Sequence, residues 1–394
     1  MERFVILLIF SLLLCLLKSQ KIDVWTGSKL GTTEYNMEMN VIRQGKKDHQ
    51  RAVSLTNEKK ELLCVTFQRP NTTVTNILYD NIRIMGTSCD WAIVFYSGTT
   101  EQIQSICKDP KISSRIRHCK ANEASLVDRY IPSQDGTKQI KISIPKTVLY
   151  QDIVSYLGGY NRVFLMDEDI SLEGFDINLF LLHWNCAFHP PPLIAQPVVY
   201  ESNQYINYLN KKSWSRGDRK NVIASGVGLV EQQVPFFDAI FLEWFIRRVL
   251  SLTKETALAY GVDWGHDRSW CNAARLYTTY VLNYPNTSIP CAVLPKTYIH
   301  HLNLKSMDSK RENRKLFQIN GQKVVQHYVN LFPTWVEMDV LKPNNPLDIK
   351  RNGHKFPRIL ELNPKCVTIK GKPLSLNNLY NTTTSSINMK FKKV

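Results

Sequence analysis

The sequence predicts an α/β fold in which a parallel sheet is covered by crossover helices. From residue 61 to residue 169, short apolar runs alternate with segments whose apolar residues have helical spacing. This alternation is typical of parallel sheets, and ligands of such sheets bind outside the carboxyl ends of the strands. The last of these apolar runs ends in consecutive carboxylates, which places an acidic group at the expected ligand-binding edge.

The first two strands and helices are predicted between residues 61 and 110. ELLCVTFQR at 61–69 and CDWAIVFYSG at 89–98 are apolar runs bounded by turn residues, and each predicts a buried strand. NTTVTNILYDNIRIMG at 71–86 and TEQIQSICKDP at 100–110 predict the helices that follow these strands. In the longer helix, apolar residues recur at helical spacing: Val74, Ile77, Leu78 and Ile82.

The third and fourth strands are predicted between residues 139 and 169. QIKISIPK at 139–146 alternates as a strand and ends at Lys146. TVLYQDIVSYLGGY at 147–160 has one apolar helical face and stops at a pair of glycines. RVFLMDED at 162–169 is apolar until its carboxylates, so a fourth strand delivers them to the edge of the sheet.

Asp167, Glu168 and Asp169 follow the fourth strand directly. Alternation along a strand directs Asp167 and Asp169 to one side and Glu168 to the other. Two carboxylates on one side repel each other unless a cation neutralises them, and Mg²⁺ or Mn²⁺ prefers such oxygen ligands next to substrate phosphates. A metal site is therefore predicted here. The alternative is a solvated turn or a helix N-cap.

Two further polar groups lie later in the chain. DWGHD at 263–267 precedes a segment of helical spacing, which places Asp267 at the N-cap or in the first turn of a helix. Asp267 is then either a cap or a general base that faces an acceptor hydroxyl. YIHH at 298–301 resembles the end of a strand, and because neighbouring side chains point to opposite sides, at most one of His300 and His301 is expected to be a ligand.

The N-terminus predicts entry into the secretory pathway. FVILLIFSLLLCLL at 4–17 is a fourteen-residue apolar run, shorter than the roughly 20 residues that usually span a bilayer. Residues 1–20 therefore read as a signal peptide or a short signal-anchor, and membrane anchoring through residues 4–17 stays open. A buried core helix is the weaker alternative. No other segment of the sequence is long and apolar enough to be predicted as a span.

The remaining chain divides into three parts by composition. Residues 21–59 are polar and charged with little periodicity, which predicts a stem-like or loosely packed extension. Residues 60–330 contain the predicted α/β domain. Residues 331–394 read as an irregular C-terminal extension with strand-like fragments.

Cysteines, sequons and charge agree with a lumenal protein. Eight cysteines lie beyond the leader, an even number suited to an oxidising compartment, and three N-glycosylation sequons begin at Asn71, Asn286 and Asn381. Cys107 and Cys119 are close enough to form a local disulfide, while the other pairings stay open. The formal net charge of +16 suggests anionic partners, which in a lumen are nucleotide-sugars, acidic glycans or membrane surfaces rather than nucleic acid.

Six stretches follow one another between about Leu62 and Leu304: DWAIVFYSG, RVFLMDEDISLEGFD, LIAQPVV, GVGLVEQQVPFF, DWGHD and TYIHH. Through these stretches, in this order, the chain resembles domain of unknown function 707, a eukaryotic family of glycosyltransferase-A-like proteins. The resemblance implies an α/β fold of the GT-A type, with a Rossmann-like nucleotide-binding sheet that carries a DxD motif and an acceptor-binding half.

The WGxD run of this chain is similar to the WGGED stretch of beta-1,4-galactosyltransferases. That similarity implies that Asp267 is the catalytic base, and that His301 joins Asp167 and Asp169 as a ligand of Mn²⁺ or Mg²⁺. The run here is one residue shorter and has His266 where those enzymes have a second acidic residue.

The other site residues are expected around a nucleotide diphosphate and an acceptor. At the ends of the predicted strands we expect four nucleotide-binding residues: Gln68, Ser97, Lys146 and Glu168. For the acceptor we expect three residues. Glu231 would be an acidic hydrogen-bonding group, Trp264 an aromatic surface, and Asp263 is the neighbour of Trp264. Trp264 is equally well explained as a core residue.

The predicted function is transfer of a sugar from a nucleotide-sugar donor to a hydroxyl of a glycan or glycoprotein acceptor, with inversion, in the ER or Golgi lumen or after secretion. The main alternative is a GT-A-fold binding protein without turnover. A metal nuclease or phosphoesterase is a second alternative, which requires further carboxylates that complete a two-metal site.

Overall fold

A computed structural model of the chain describes the following residues: 33–54, 59–122, 129–133, 136–142, 144–200, 209–215, 217–261, 266–285, 287–304, 311–332 and 358–360. The predicted leader, Asp263, Trp264 and most of the predicted C-terminal extension lie outside these ranges. Within them the protein has a mixed α/β fold with parallel strands at the core of one large sheet.

The strands have these bounds: β1 Lys60–Gln68, β2 Asp90–Phe95, β3 Ile116–Ala121, β4 Arg129–Pro132, β5 Gln139–Ile142, β6 Tyr160–Met166, β7 Ile170–Ser171, β8 Ile194–Tyr200, β9 Ala224–Gly226, β10 Phe236–Asp238, β11 Cys291–His301 and β12 Arg358–Ile359. In the described part of the chain, ten of them form a sheet in the order β12-β9-β11-β8-β10-β6-β1-β2-β3, with β7 beside β11. β4 and β5 form a separate hairpin.

The α-helices have these bounds: α1 Thr33–Ser54, α2 Thr72–Met85, α3 Thr100–Cys107, α4 Lys146–Leu149, α5 Val154–Leu157, α6 Ile177–Ala187, α7 Ala239–Trp244, α8 Ser251–Tyr260, α9 His266–Leu276 and α10 Arg311–Leu331. Short 3₁₀ turns lie at Ser113–Arg115, Tyr150–Ile153, Lys211–Trp214 and Gly217–Asn221. π-helical turns at Phe245–Leu250 and Tyr277–Val281 extend α7 and α9.

The parallel half of the sheet consists of β6, β1, β2 and β3, with β1 between β6 and β2. Both faces of this half are covered, so β1 is buried at every position from Leu62 to Gln68. That double burial explains why β1, β2 and β6 read in the sequence as continuous apolar runs. Their carboxyl ends lie at one edge of the sheet, as parallel strands require.

The second half of the sheet is mixed. β10 runs antiparallel between β6 and β8, and β8 is parallel to β11. β7 pairs antiparallel with the end of β11, with Ile170 opposite His301 and Ser171 opposite His300. This pairing brings the end of β11 beside the turn after β6.

The predicted third strand is corrected by the structure. QIKISIPK contributes β5, which pairs with β4 in a hairpin outside the main sheet. The third strand of the parallel half is β3, and Lys146 begins α4 instead of ending a strand. β3 lies at the edge of the sheet and is only partly buried, so its sequence lacks the apolar run of a central strand.

The prediction of a loosely packed stem is wrong for residues 33–54. This segment forms α1, whose residues Val41 and Ile42 belong to the hydrophobic core. Gly45 lies against Trp244 of α7, since a Cβ at this glycine would come within 2.6 Å of the indole Nε1. The buried stripe is narrow and the rest of the helix is polar, which explains why its periodicity is weak in the sequence.

Three disulfides lie in the described part of the chain: Cys64–Cys89, Cys107–Cys119 and Cys271–Cys291. The predicted local pair of Cys107 and Cys119 is thereby confirmed. Disulfides persist in oxidising environments, so these pairs agree with a lumenal or secreted protein. Of the helices that the structure describes, none is long and apolar enough to cross a membrane.

Candidate functional site

β6 delivers three carboxylates to the edge of the sheet. β6 is buried from Arg162 to Met166, and the turn after it begins at Asp167. The backbone N–H of Asp167 donates to the carbonyl of Gln233 at 3.0 Å, so the segment before β10 fixes the start of the turn. The turn is therefore held between the parallel half of the sheet and the mixed half.

Asp169 and His301 form a contact between these two halves. Asp169 Oδ2 lies 3.2 Å from His301 Nε2, and the backbone N–H of Leu302 donates to the carbonyl of Asp169 at 2.9 Å. Burial acts to lower the pKa of His301, but the hydrogen bond and negative charge of Asp169 outweigh it and raise that pKa. The imidazole therefore gains a proton more readily here than in water, which is the electrostatic effect expected beside several carboxylates.

Asp167 is paired with Lys146. The Lys146 ammonium at the first residue of α4 donates to Asp167 Oδ1. Burial nevertheless raises the pKa of Asp167, with the Asp169 carboxylate adding to the rise and Lys146 opposing it. Lys146, which was expected at a strand end as a nucleotide contact, therefore lies at a helix start and pairs with the acidic turn.

Glu168 faces a different set of groups. Its carboxylate accepts from the Tyr96 hydroxyl at 2.8 Å and from the backbone N–H of Arg69 at 3.2 Å, and Arg69 Nε lies 3.0 Å from Glu168 Oε1. Arg69 and Tyr96 directly follow β1 and β2, and the sequence reasoning missed both. Only their position in the sequence could have indicated them, because each is the first residue after a buried parallel strand.

Gln68 and Ser97 end the neighbouring strands. Gln68 is buried, and its Nε2 donates to Thr66 Oγ1 at 2.7 Å, while its Oε1 has no hydrogen-bond partner among the described residues. Ser97 is half-buried in the bend after β2, one residue beyond Tyr96. Both lie at the carboxyl edge where they were expected, near the Glu168 contacts.

Glu231 approaches the acidic turn from the mixed half. Its backbone N–H donates to Gln196 Oε1 at 2.9 Å, and Gln196 is fully buried in β8. Burial raises the pKa of Glu231 to about 8, with the negative charges of Asp267 and Asp167 adding to the rise and His301 opposing it. The Glu231 carboxyl therefore holds its proton near neutral pH and is a hydrogen-bond donor.

Asp267 lies in the first turn of α9, where the sequence placed it. Trp270, one turn further, is buried and packs edge-on against Phe237 of β10 at a centroid distance of 5.0 Å. His266 at the start of the helix bonds the Tyr328 hydroxyl of α10 at 2.7 Å. These contacts fix the start of α9, so that the Asp267 charge acts on Glu231.

The structure therefore places most of the predicted site residues in two groups, the second of which also contains two residues that were not predicted, Arg69 and Tyr96. Asp167, Asp169 and His301 are coupled to Lys146, Glu231 and Asp267, while Glu168 binds Arg69 and Tyr96. His300, by contrast, contacts the ring of Tyr200 instead of the carboxylates. The predicted acceptor residues Asp263 and Trp264 lie outside the described residues.

The donor set suits a hard divalent cation. Asp167 and Asp169 offer oxygen ligands and His301 offers a nitrogen, a combination that Mn²⁺ accepts and Mg²⁺ accepts in part. In this arrangement the donors are engaged with Lys146 and with each other, and no three His, Cys, Asp or Glu side chains of the described residues surround a common metal position. A bound ion would therefore replace the Lys146–Asp167 and His301–Asp169 contacts.

The chain matches no protein-family model, and no curated protein is significantly similar to it. The resemblances to domain of unknown function 707 and to beta-1,4-galactosyltransferases therefore rest on the sequence motifs themselves. The mixed sheet with its parallel core is compatible with a Rossmann-like α/β fold.

Proposed function

We propose that the protein is a metal-dependent glycosyltransferase of the GT-A type, which moves a sugar from a nucleotide-sugar to a hydroxyl of a glycan or glycoprotein in the ER or Golgi lumen or after secretion. The observation that carries the proposal is the meeting of Asp167 and Asp169, at the carboxyl end of β6, with His301 at the end of β11. Ligands of parallel sheets bind at this edge.

The donor side is supported by Glu168 and the basic residues around it. Arg69 and Lys146 place two positive charges beside the acidic turn, where a nucleotide diphosphate needs them. Glu168 and Gln68, whose Oε1 has no partner among the described residues, can accept hydrogen bonds from nucleoside hydroxyl or amide groups. Ser97 lies close enough in sequence to Tyr96 to extend this edge.

Asp167, Asp169 and His301 would hold Mn²⁺ or Mg²⁺. A divalent cation at this position supplies electrostatic stabilisation of the charge that grows on a leaving diphosphate. When Asp167 is engaged by such an ion, the Lys146 ammonium becomes available to a phosphate oxygen.

The acceptor side is supported by Asp267 and Glu231. Asp267 would take the proton of the attacking hydroxyl, which gives inversion at the anomeric carbon. Glu231, whose carboxyl retains its proton, would donate a hydrogen bond to the acceptor and orient it. Asp263 and Trp264 complete the proposed acceptor side from the sequence.

A second candidate is a binding protein of the same fold without turnover. It is favoured by one observation, that Asp167 and Asp169 already have positively charged or hydrogen-bonding partners in Lys146 and His301. The two candidates differ in the fate of the bound donor, since only the transferase consumes it.

The proposal is tested on the chain expressed through a secretory pathway. Thermal unfolding is measured with a panel of nucleotide-sugars, with and without Mn²⁺, for the wild type and for an Asp167→Asn, Asp169→Asn variant. Glu173→Gln is the matched control, because Glu173 is an exposed carboxylate a few residues further along. Release of free nucleotide diphosphate is then measured with the nucleotide-sugar that stabilises the protein.

Metal-dependent stabilisation by one nucleotide family, lost in the double variant and kept in Glu173→Gln, would support the donor site. Release of the diphosphate would then favour the transferase, and binding without release would favour the second candidate. If no nucleotide shifts the unfolding temperature of wild type or variant, the transferase is wrong, the acidic turn is structural, and a binding protein without turnover is favoured.

A further inference from the structure

An aromatic group lies on the mixed half of the sheet, at the ends of β8 and β11. Tyr200 is opposite His300 in the parallel pairing of these strands, and Tyr298 precedes His300 by two residues, so the three rings lie on one face. The ring centroids of Tyr200 and Tyr298 are 5.3 Å apart, and that of His300 is 5.0 Å from Tyr200. We call these three residues the tyrosine platform. All three are half-buried.

One ammonium group lies on this platform. Lys211 Nζ is 3.3 Å from the ring centroid of Tyr298 and 4.5 Å from that of Tyr200. Lys211 forms no ion pair with any residue that the structure describes, although it is half-buried. Burial lowers the pKa of Lys211, as expected for an ammonium that has lost water without gaining a carboxylate.

The turn that carries Lys211 is held by contacts of its neighbours. Asn210 forms a β-bridge with Val199, and its side chain accepts from the backbone N–H of Lys212 at 2.9 Å to cap the 3₁₀ turn. Trp214 at the end of the same turn is buried. Since these contacts do not involve the Lys211 side chain, we expect the turn to persist when that side chain is replaced.

The platform is separate from the candidate metal site. His300 and His301 are neighbours on an extended strand, so their side chains leave opposite faces, and His301 reaches Asp169 while His300 contacts Tyr200. Gly174 closes one side of the platform, because a Cβ there would come within 2.9 Å of the Tyr298 hydroxyl oxygen. The positive φ of Gly174 (71°) further restricts this position to glycine.

We propose that Lys211 and the tyrosine platform bind an acidic sugar unit through its carboxylate or sulfate group. The ammonium is a charged hydrogen-bond donor without an anionic partner among the described residues, and an anionic ligand would supply one. The hydroxyls of Tyr200 and Tyr298 and the ring of His300 supply the polar and flat apolar surfaces that suit a sugar ring. The net charge of +16 favours approach of such a ligand.

This inference does not depend on the proposed transfer reaction, since none of the platform residues is assigned to the metal or the donor. It is tested on the secreted chain by saturation-transfer NMR and calorimetry without nucleotide or metal. The probes are 4-nitrophenyl β-glucuronide, 4-nitrophenyl β-glucoside 6-sulfate and the neutral 4-nitrophenyl β-glucoside. Sodium sulfate and sodium acetate report binding of the anions alone.

We expect at least one acidic glycoside to bind at least tenfold more tightly than the neutral one, and the two acidic probes to distinguish carboxylate from sulfate. Lys211→Met should abolish that preference. Lys212→Met is the matched control, because Lys212 is an exposed neighbour of the same charge and should leave it unchanged. Tyr298→Leu should weaken binding, while Tyr298→Phe, which keeps the ring, should retain most of it.

The proposal is overturned if Lys211→Met and Lys212→Met weaken binding of the acidic glycosides equally, since general surface charge would then account for it. It is also overturned if sulfate and acetate alone bind as tightly as the glycosides, or if no acidic glycoside binds better than the neutral one. Far-UV circular dichroism and the unfolding temperature of each variant show that a loss of binding is not a loss of fold.

Discussion

His266 and Tyr328 are joined by a hydrogen bond of 2.7 Å between the imidazole Nδ1 and the phenol oxygen. Both side chains are buried, and Thr253 of α8 donates to the same phenol oxygen at 2.9 Å. The bond ties the helix that carries Asp267 to the last long helix of the described chain. His266 is therefore a packing residue in this protein.

This bond leads to a prediction for the pH dependence of stability. Burial lowers the pKa of His266 to about 3, below the ordinary value of 6.5 that applies in the unfolded chain. Between these values the unfolded state binds a proton that the folded state excludes, so stability is lost as the pH falls from 6.5 towards 3. The loss from this one group approaches about 1.4 kcal/mol per pH unit.

Urea unfolding of the wild type and of His266→Gln at pH 7.0, 6.0, 5.0 and 4.5 measures this loss, and the difference between their slopes against pH should approach the uptake of about one proton on unfolding. His266→Gln should be less stable than the wild type at pH 7, because it loses the bond to Tyr328, but its stability should decline less below pH 6.5. Equal pH dependence of the two proteins would contradict the assignment of this proton to His266.

The contact between Asp169 and His301 leads to a prediction about metal affinity. If His301 is a ligand, His301→Ala should lower the affinity for Mn²⁺ by at least about tenfold. Loss of a residue that only supports a ligand typically lowers metal affinity by about that much, and loss of a ligand itself should cost no less. Calorimetric titration with MnCl₂ measures this change. His300→Ala is the matched control, since His300 faces Tyr200. Equal affinities of the two variants would exclude His301 from the metal site.

The pair of Lys146 and Asp167 leads to a prediction of two opposite effects, on stability without metal and on stabilisation by Mn²⁺. Lys146→Met leaves Asp167 without its cation, so the free energy of unfolding without metal should fall by about 1–3 kcal/mol, less than for a fully buried pair because both groups are partly exposed. Stabilisation by Mn²⁺ should increase in the same variant, because the ion no longer competes with the ammonium for the carboxylate.

Thermal unfolding with and without MnCl₂ measures both effects. Lys60→Met is the control, because Lys60 pairs with Asp90 near the opposite end of the strands and is largely exposed. Its response to Mn²⁺ should equal that of the wild type. A Lys146→Met protein that responds to Mn²⁺ no more than the wild type would show that Lys146 does not compete with a metal for Asp167.

The central strands and the acidic turn were predictable because their signals are local. β1, β2 and β6 are buried on both faces, which forces continuous apolar runs, and the carboxylates follow β6 directly. The partners of the carboxylates were less visible. Arg69 and Tyr96 meet Glu168 only because β1 and β2 lie beside β6, and that adjacency is a property of the sheet and not of any short segment.

Edge elements were mispredicted for a related reason. β3 at the sheet edge exposes part of its surface and alternates weakly, whereas the QIKI segment alternates well but has only β4 as a partner among the described strands. The strand that joins a sheet is decided by packing against its neighbours more than by its own pattern. The same holds for α1, because its few buried residues can be recognised only when the core against which they pack is known.

The packing of α1 leads to the last prediction, which separates a structural helix from a stem. A Cβ at Gly45 would lie 2.6 Å from Trp244 Nε1 and 3.0 Å from Val281 Cγ2, and the Trp244 side chain is buried. Alanine in place of a helical glycine would by itself favour the helix by about 0.5–1 kcal/mol. Overlap with the indole should outweigh that gain, so Gly45→Ala should lower the free energy of unfolding by roughly 1–3 kcal/mol.

Gly158→Ala is the control for this substitution, because a Cβ at Gly158 meets nothing within 4 Å. Urea unfolding of both variants gives the comparison, and the indole fluorescence reports the environment of the tryptophans as α1 is displaced. If residues 33–54 were a loosely attached stem, Gly45→Ala would be neutral or stabilising and would match Gly158→Ala. A loss confined to Gly45→Ala would instead show that the packing of α1 against α7 contributes to the stability of the core, so that removing the segment before β1 would remove part of that core.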